Sequence, residues 1–167
     1  MSKATDDLKA AFAGESQANR RYLAFAKKAD DEGYAQVARL FRAAAHAETV
    51  HAHNHLRALG EIKSTAENLQ AAVTGENYEV VSMYPEFIKD AETEEFKRAL
   101  TSFRWAMEVE KVHEALYTKA LKALEAKQDV VEVEYYVCPV CGYTHEGPMA
   151  DKCPVCSTPA ERFERMS

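Results

Sequence analysis

Two short stretches place an acid and an imidazole at the same helical interval. In AETVHAHNHL these are Glu48 and His51, and in EVEKVHEAL they are Glu110 and His113. Side chains three residues apart share a helix face, so each unit can offer a carboxylate and a ring nitrogen to one centre. Those donors together suit iron or manganese; zinc accepts them too, usually with fewer ligands. A second cluster lies in the tail, where all 4 cysteines fall in two CPVC turns, Cys138–Cys141 and Cys153–Cys156. Paired C-x-x-C turns form tetrathiolate metal sites, and a tetrahedral four-sulfur set accepts zinc or a single iron. Zinc would make the tail a structural clip, iron a one-electron carrier. Proline after the first cysteine stiffens each turn so that backbone amides point at sulfur, and Gly142 follows Cys141 where a positive φ is convenient.

The elements that must hold these donors are helices. Ser2 or Thr5 caps a first helix running to about Asp31, with Gly33 punctuating its end; a second runs from about Tyr34 to Leu59 and stops at Gly60. STAE, Ser64–Glu67, is a capping box opening a third helix to about Ala91, and a fourth runs from about Glu94 to Ala126. Pro85 removes a backbone donor inside the third, which predicts a kink there. Then DVVEVEYYVCP turns β-branched and aromatic, so helix gives way to strand. The expected organisation is a helical domain over 1–130 and a small cysteine domain over 131–167.

Each helix carries an apolar stripe at three- and four-residue steps, and glutamate interrupts every stripe near its middle. Phe12, Glu15, Asn19 and Tyr22 belong to the first, and Phe41, Ala44, Glu48, His51 and His55 to the second. The third runs through Val73, Glu76, Val80 and Met83, with Glu79 a second candidate in GENYE, and the fourth through Phe103, Met107, Glu110 and Tyr117. Taking one carboxylate into a dry interior costs several kcal/mol. No lysine or arginine shares the level of these four, since Arg21 and Lys111 lie off the inward face. A metal is the simplest counter-charge. A bundle with one Glu from each of two helices and E-x-x-H from the other two is the di-iron or di-manganese carboxylate arrangement. His46 and His53 read as surface residues, while His55 lies one turn beyond His51 on the same face.

A constant offset carries Tyr22 onto Tyr84, Phe25 onto Phe87, Glu32 onto Glu94, Phe41 onto Phe103, Glu48 onto Glu110 and His51 onto His113. A helical hairpin therefore occurs twice, and a pseudo-two-fold four-helix bundle is the natural architecture. Tyr22 and Tyr84 each sit about two turns beyond a candidate ligand, where a hydroxyl could bond a ligand carboxylate. The rest of the composition narrows the class. Hydrophobic residues make up 47% and charged residues 29% of 167, which describes a globular protein with material for a core. The net charge of -6 and the absence of a basic stripe argue against nucleic-acid binding. MSKATDDLKA has no apolar leader core and no run is long enough for a membrane span, so a reducing cytoplasm is the expected compartment and thiolates rather than disulfides are expected.

The motifs GESQANRRY, AETVH, GENYE, MYPEF, VEKVH and the paired CPVC resemble rubrerythrin in order and spacing over nearly the whole chain. That resemblance implies a mainly α, ferritin-like di-iron four-helix bundle followed by a rubredoxin-like domain. It implies that Glu15 and Glu76 are terminal ligands, Glu48 and Glu110 bridge two irons, and His113 holds the second. Glu79 and His51 would alternate on the first iron, Glu79 when oxidised and His51 when reduced, with Tyr22 and Tyr84 bonding near the ligands. Cys138, Cys141, Cys153 and Cys156 would bind one iron, with zinc an alternative occupant. The implied activity is peroxidase chemistry, hydrogen peroxide reduced to water, with electrons arriving through the tetrathiolate iron from a reductase or rubredoxin supplied by NAD(P)H. The implied assembly is a homodimer or higher oligomer, head-to-tail or with helices exchanged. Two other readings compete: a ferroxidase handling iron, or a non-enzymatic bundle clipped by zinc.

Overall fold

The computed structural model describes residues 2–166 and divides into two compact units, one ending at Lys63 and the other beginning at Ser64. The first is a helical hairpin of α1, Lys3–Asp31, and α2, Ala35–Leu59. Ser2 is the cap of α1, its hydroxyl accepting from the Thr5 amide at 3.3 Å, so one of its first-turn orphan donors is satisfied. Gly33 turns the chain at φ 83°, and the Tyr34 amide closes the turn on the Ala29 carbonyl at 2.8 Å. The seam between α1 and α2 is made of small residues: Ala26, Ala29, Ala38, Ala45 and Ala52 are all buried. Asn19 crosses that seam, its amide donating to the Ala45 carbonyl at 2.7 Å and to the Thr49 hydroxyl at 2.8 Å.

The second unit opens with α3, Thr65–Tyr78, whose capping box between Ser64 and Glu67 is complete. The expected single helix to Ala91 is in fact interrupted. A π-helical turn, Glu79–Met83, separates α3 from α4, Tyr84–Thr93. The break falls before Pro85 rather than at it. The Tyr84 amide reaches five residues back to the Glu79 carbonyl, so the widened turn absorbs the missing proline donor. The last helix, α5, spans Lys97–Glu125 and starts later than Glu94 because Glu95 turns the chain at φ 55°.

The sequence repeat is a repeat in space. Tyr22, Phe25 and Phe41 form an aromatic cluster with centroids 5.6–6.4 Å apart, and Tyr84, Phe87 and Phe103 form its counterpart at 5.5–6.3 Å. Arg42 pairs with Asp30 at 2.7 Å, and at the same offset Arg104 pairs with Glu92 at 2.6 Å. Glu95 occupies the left-handed position that Gly33 fills in the first hairpin, and the Phe96 amide returns to the Ala91 carbonyl as Tyr34 returns to Ala29.

The tail is a three-stranded antiparallel sheet of β1, Tyr135–Val137, β2, Thr144–Glu146, and β3, Glu164–Met166, in the order β2-β1-β3. Strand structure is shorter than DVVEVEYYVCP suggested. Residues 128–134 have no strand partner and stay irregular; only Tyr135–Val137 finds ladders on both sides.

Candidate metal centres

The ligand set divides by hairpin into two compact groups. In the first unit, ligand atoms of Glu15, Glu48 and His51 all lie within 4.8 Å of one another; in the second, so do those of Glu76, Glu110 and His113. The i,i+3 spacing produces the expected contact in both: Nδ1 of His51 lies 2.9 Å from Glu48 Oε2, and Nδ1 of His113 lies 2.6 Å from Glu110 Oε2. Glu15 comes from the neighbouring helix, its Oε1 4.0 Å from His51 Nδ1. The His51 contact, with a further bond from Glu15, holds Glu48 below the usual carboxylate range.

The second group is charge-frustrated. Glu76 is pushed up to about 7, first by desolvation and then by the carboxylates of Glu110, Glu79 and Glu114. Glu79 stands at the start of the π turn, outside the close triad, and is raised by burial and by Glu110. Tyr84 sits one turn on, its phenol held protonated by burial and by the charges of Glu79, Glu110 and Glu76. Carboxylates that resist ionising together are those a multivalent cation would relieve, so the donors fit metal. Tyr22 packs in the first aromatic cluster. His46 and His53 are exposed as expected, and His55 is half-buried.

The tail cysteines form one cluster, with all four sulfurs within 4.8 Å. Cys138 and Cys156 are 3.5 Å apart at sulfur, as are Cys141 and Cys153. A disulfide requires about 2.05 Å. A metal tetrahedron with bonds of about 2.3 Å has edges of about 3.8 Å, so the spacing fits a shared ion. Amides behave as the CPVC turns predicted. Burial works against the Cys138 thiolate, yet the amides of Cys141 and Val140 and the Thr158 hydroxyl outweigh it and hold this thiol at about 6. Cys153 receives the amides of Cys156 and Val155, but burial dominates and its thiol is raised, as is that of Cys141. Gly142 follows the first turn at φ 84° and Ser157 the second at φ 62°.

Thr144 on β2, which belongs to no motif, lies 2.9 Å from Nε2 of His113. Its only sequence signal is period-two alternation in a short strand, which says nothing about a partner on α5.

Two helical hairpins bearing E-x-x-H units, followed by a four-cysteine sheet module, define a ferritin-like di-iron carboxylate protein with a rubredoxin-like tail. The family model for rubrerythrin matches residues 6–121, and that for the rubrerythrin rubredoxin-like domain matches 136–164. Rubrerythrin-2 of Clostridium acetobutylicum is 34% identical, covering 95% of this chain and 94% of its own. Nigerythrin of Nitratidesulfovibrio vulgaris is 37% identical over 95% and 84%, and rubrerythrin of Porphyromonas gingivalis 40% over 99% and 90%. The fully reduced, all-ferrous structure of nigerythrin superposes with a TM-score of 0.59 at 35% identity, covering 99% of this chain and 88% of that one. The chain belongs to the rubrerythrin family. Its candidate centres are therefore a carboxylate–histidine di-iron set and a four-cysteine iron site. No helix among the described residues is long and apolar enough to cross a membrane.

Proposed function

We propose that this chain is a non-haem di-iron peroxidase that reduces hydrogen peroxide to water and draws its electrons through the tetrathiolate iron. The observation that carries this reading is the coexistence, in one chain, of a tetrathiolate site with two carboxylate–histidine triads. A storage or ferroxidase protein needs no one-electron module. Held in the bundle, two ferrous ions would supply the two electrons that cleavage of the peroxide O–O bond consumes. The chain's own groups do the rest. Glu48 and Glu110, each bonded to its histidine, would be the bridging ligands, with Glu15 and Glu76 as terminal ligands. Glu79 and His51 would be alternative ligands to the first ion, and exchanging carboxylate for neutral imidazole would remove one negative charge in the reduced state. Tyr84 remains a neutral phenol among acids and can donate a hydrogen bond; Tyr22 is assigned the matching role by the repeat.

Each triad alone has three donors, fewer than two bridged ions need. Both hairpins also keep large apolar side chains exposed, including Phe25, Val37 and Leu40 in the first and Val81, Phe87 and Phe96 in the second. This supports a homodimer or higher oligomer with hairpins exchanged. The reading keeps a bundle domain over 1–130 and a four-cysteine domain over 131–167, in line with the limits of the two family models, and a reducing cytoplasm as the compartment. The physiological donor is a reductase or a rubredoxin fed by NAD(P)H.

The test is a split of half-reactions. Cys138→Ser should abolish steady-state peroxide turnover with a reductase while a chemically pre-reduced bundle is still oxidised by one peroxide. Loss of that single oxidation as well, or faster reaction with ferrous ion and oxygen than with peroxide, would sink the peroxidase reading.

A further inference from the structure

The two hairpins differ at one place beside their triads. Between α1 and α2 lies a cleft of about 230 Å³, with Arg20 and His53 at its exposed rim and half-buried Glu48 and buried Ala52 at its depth. His53 stands two residues from His51 and so on the opposite side of α2. The cleft therefore opens on the side of the hairpin away from His51, yet it ends on a carboxylate of the triad. It has room for several molecules of water size, each taking roughly 30 Å³.

The second hairpin closes the equivalent place. Glu15 corresponds in the repeat to Glu76, so Ser16 corresponds to Asn77; Ala52 corresponds to Glu114 as His51 does to His113. The Asn77 amide donates to Glu114 at 2.9 Å, a bond that bridges α3 and α5 where Ser16 and Ala52 leave space between α1 and α2.

The lining selects by hydrogen bonding and charge. Ser16 spends its hydroxyl proton on the Phe12 carbonyl at 2.7 Å, and Thr49 spends its own on the Ala45 carbonyl at 3.2 Å. What each hydroxyl has left for a visitor is acceptor lone pairs. Asn19 steadies Thr49 by donating to it at 2.8 Å. Hydrogen peroxide carries two O–H donors and matches such acceptors, whereas dioxygen carries none. Arg20 has no ion-pair partner among the described residues, and its positive charge at the mouth opposes entry of a ferrous ion.

We infer that this cleft is the path by which hydrogen peroxide reaches the di-iron site, with Ala52 at its constriction, and that the Asn77–Glu114 bond shuts the equivalent path through the second hairpin. The inference deepens the peroxidase reading and rests on it. Ser16, Thr49 and Ala52 act on access alone; no bond is made or broken at any of them.

Ser16→Asn combined with Ala52→Glu copies the closing pair into the first hairpin. Iron-loaded, oxidised full-length protein is mixed with azide, and arrival and departure of this small probe are followed by stopped-flow absorbance. A narrowed entrance slows both directions alike. Both rate constants should fall on the order of tenfold, an added barrier of about 1.4 kcal/mol, while the azide dissociation constant and iron content stay as in the wild type. Peroxide oxidation of the pre-reduced variant should slow by the same factor. An unchanged azide arrival rate overturns the inference. If the pair variant loses iron or changes its azide dissociation constant, Ala52→Val decides by the same criterion. Azide reports entry without turnover, so the two failures are separable. A wild type indifferent to peroxide sinks the peroxidase reading, while fast peroxide oxidation with azide entry unaffected by closure sinks the path alone.

Discussion

Glu76 shows most directly why these acids require a cation. Its carboxyl is displaced from 4.5 to about 7 by desolvation and by Glu110. The raised value means that the folded, metal-free chain holds a proton that the unfolded chain releases. This contribution to stability is complete below about 4.5 and is lost as pH rises through about 7. Urea midpoints of the metal-free protein should therefore fall between about pH 5 and about pH 8, and Glu76→Gln should lessen the fall. An equally steep fall in the variant would mean that Glu76 is not the group responsible. Glu79 calls for a different prediction, since it stands outside the close triad. Glu79→Ala should perturb the spectrum of the oxidised pair while the tail iron and the fold persist. Loss of all metal from the variant would count against the alternating role proposed for Glu79. At this scale the sequence was largely readable: spacing located both Glu–His pairs and all four cysteines, because i,i+3 and C-x-x-C geometry are local, while Glu15 and Glu76 were read from the interrupted apolar stripes. Thr144 was not readable, because its partner is set by how a sheet lies on a helix.

Elements were legible where caps are local and illegible where one defect is absorbed at a distance. Ser2, Gly33, Gly60 and the Ser64–Glu67 box mark helix ends as their chemistry requires. Pro85, in contrast, announces a disturbance without saying what form it takes. The chain answers with a π turn upstream, and that turn carries Glu79. Pro85→Ala supplies the missing amide and should let the turn relax toward α geometry. Helix content by circular dichroism should be unchanged or slightly higher, while the oxidised pair's spectrum shifts as in Glu79→Ala. An unaltered spectrum would show that the proline does not set Glu79. The two interhelix turns offer a second check. Gly33→Ala forces a Cβ into a left-handed position and should cost about 1 kcal/mol. Glu95 already bears that strain, and nothing in its sequence neighbourhood announces it. A Gly33→Ala midpoint equal to the wild type would contradict the strain argument.

Across the whole chain, duplication is the organising fact. The aromatic clusters and the Asp30–Arg42 and Glu92–Arg104 pairs recur at one offset, so each hairpin repeats one design that carries a carboxylate–histidine triad. The repeat was visible in sequence because both copies kept their aromatic and E-x-x-H positions. Assembly was not visible, since apolar stripes are the same whether the covering helix comes from one chain or two. The proposed two-electron centre fed by a one-electron module should declare itself in metal content, colour and reactivity together. Protein purified without added metal is analysed for metal, its visible spectrum recorded, and the reduced form titrated anaerobically with peroxide. The expected result is a red protein with about three irons per chain, one held by the four cysteines and one pair in the bundle, rapidly reoxidised by peroxide. A colourless, zinc-loaded protein indifferent to peroxide would contradict it.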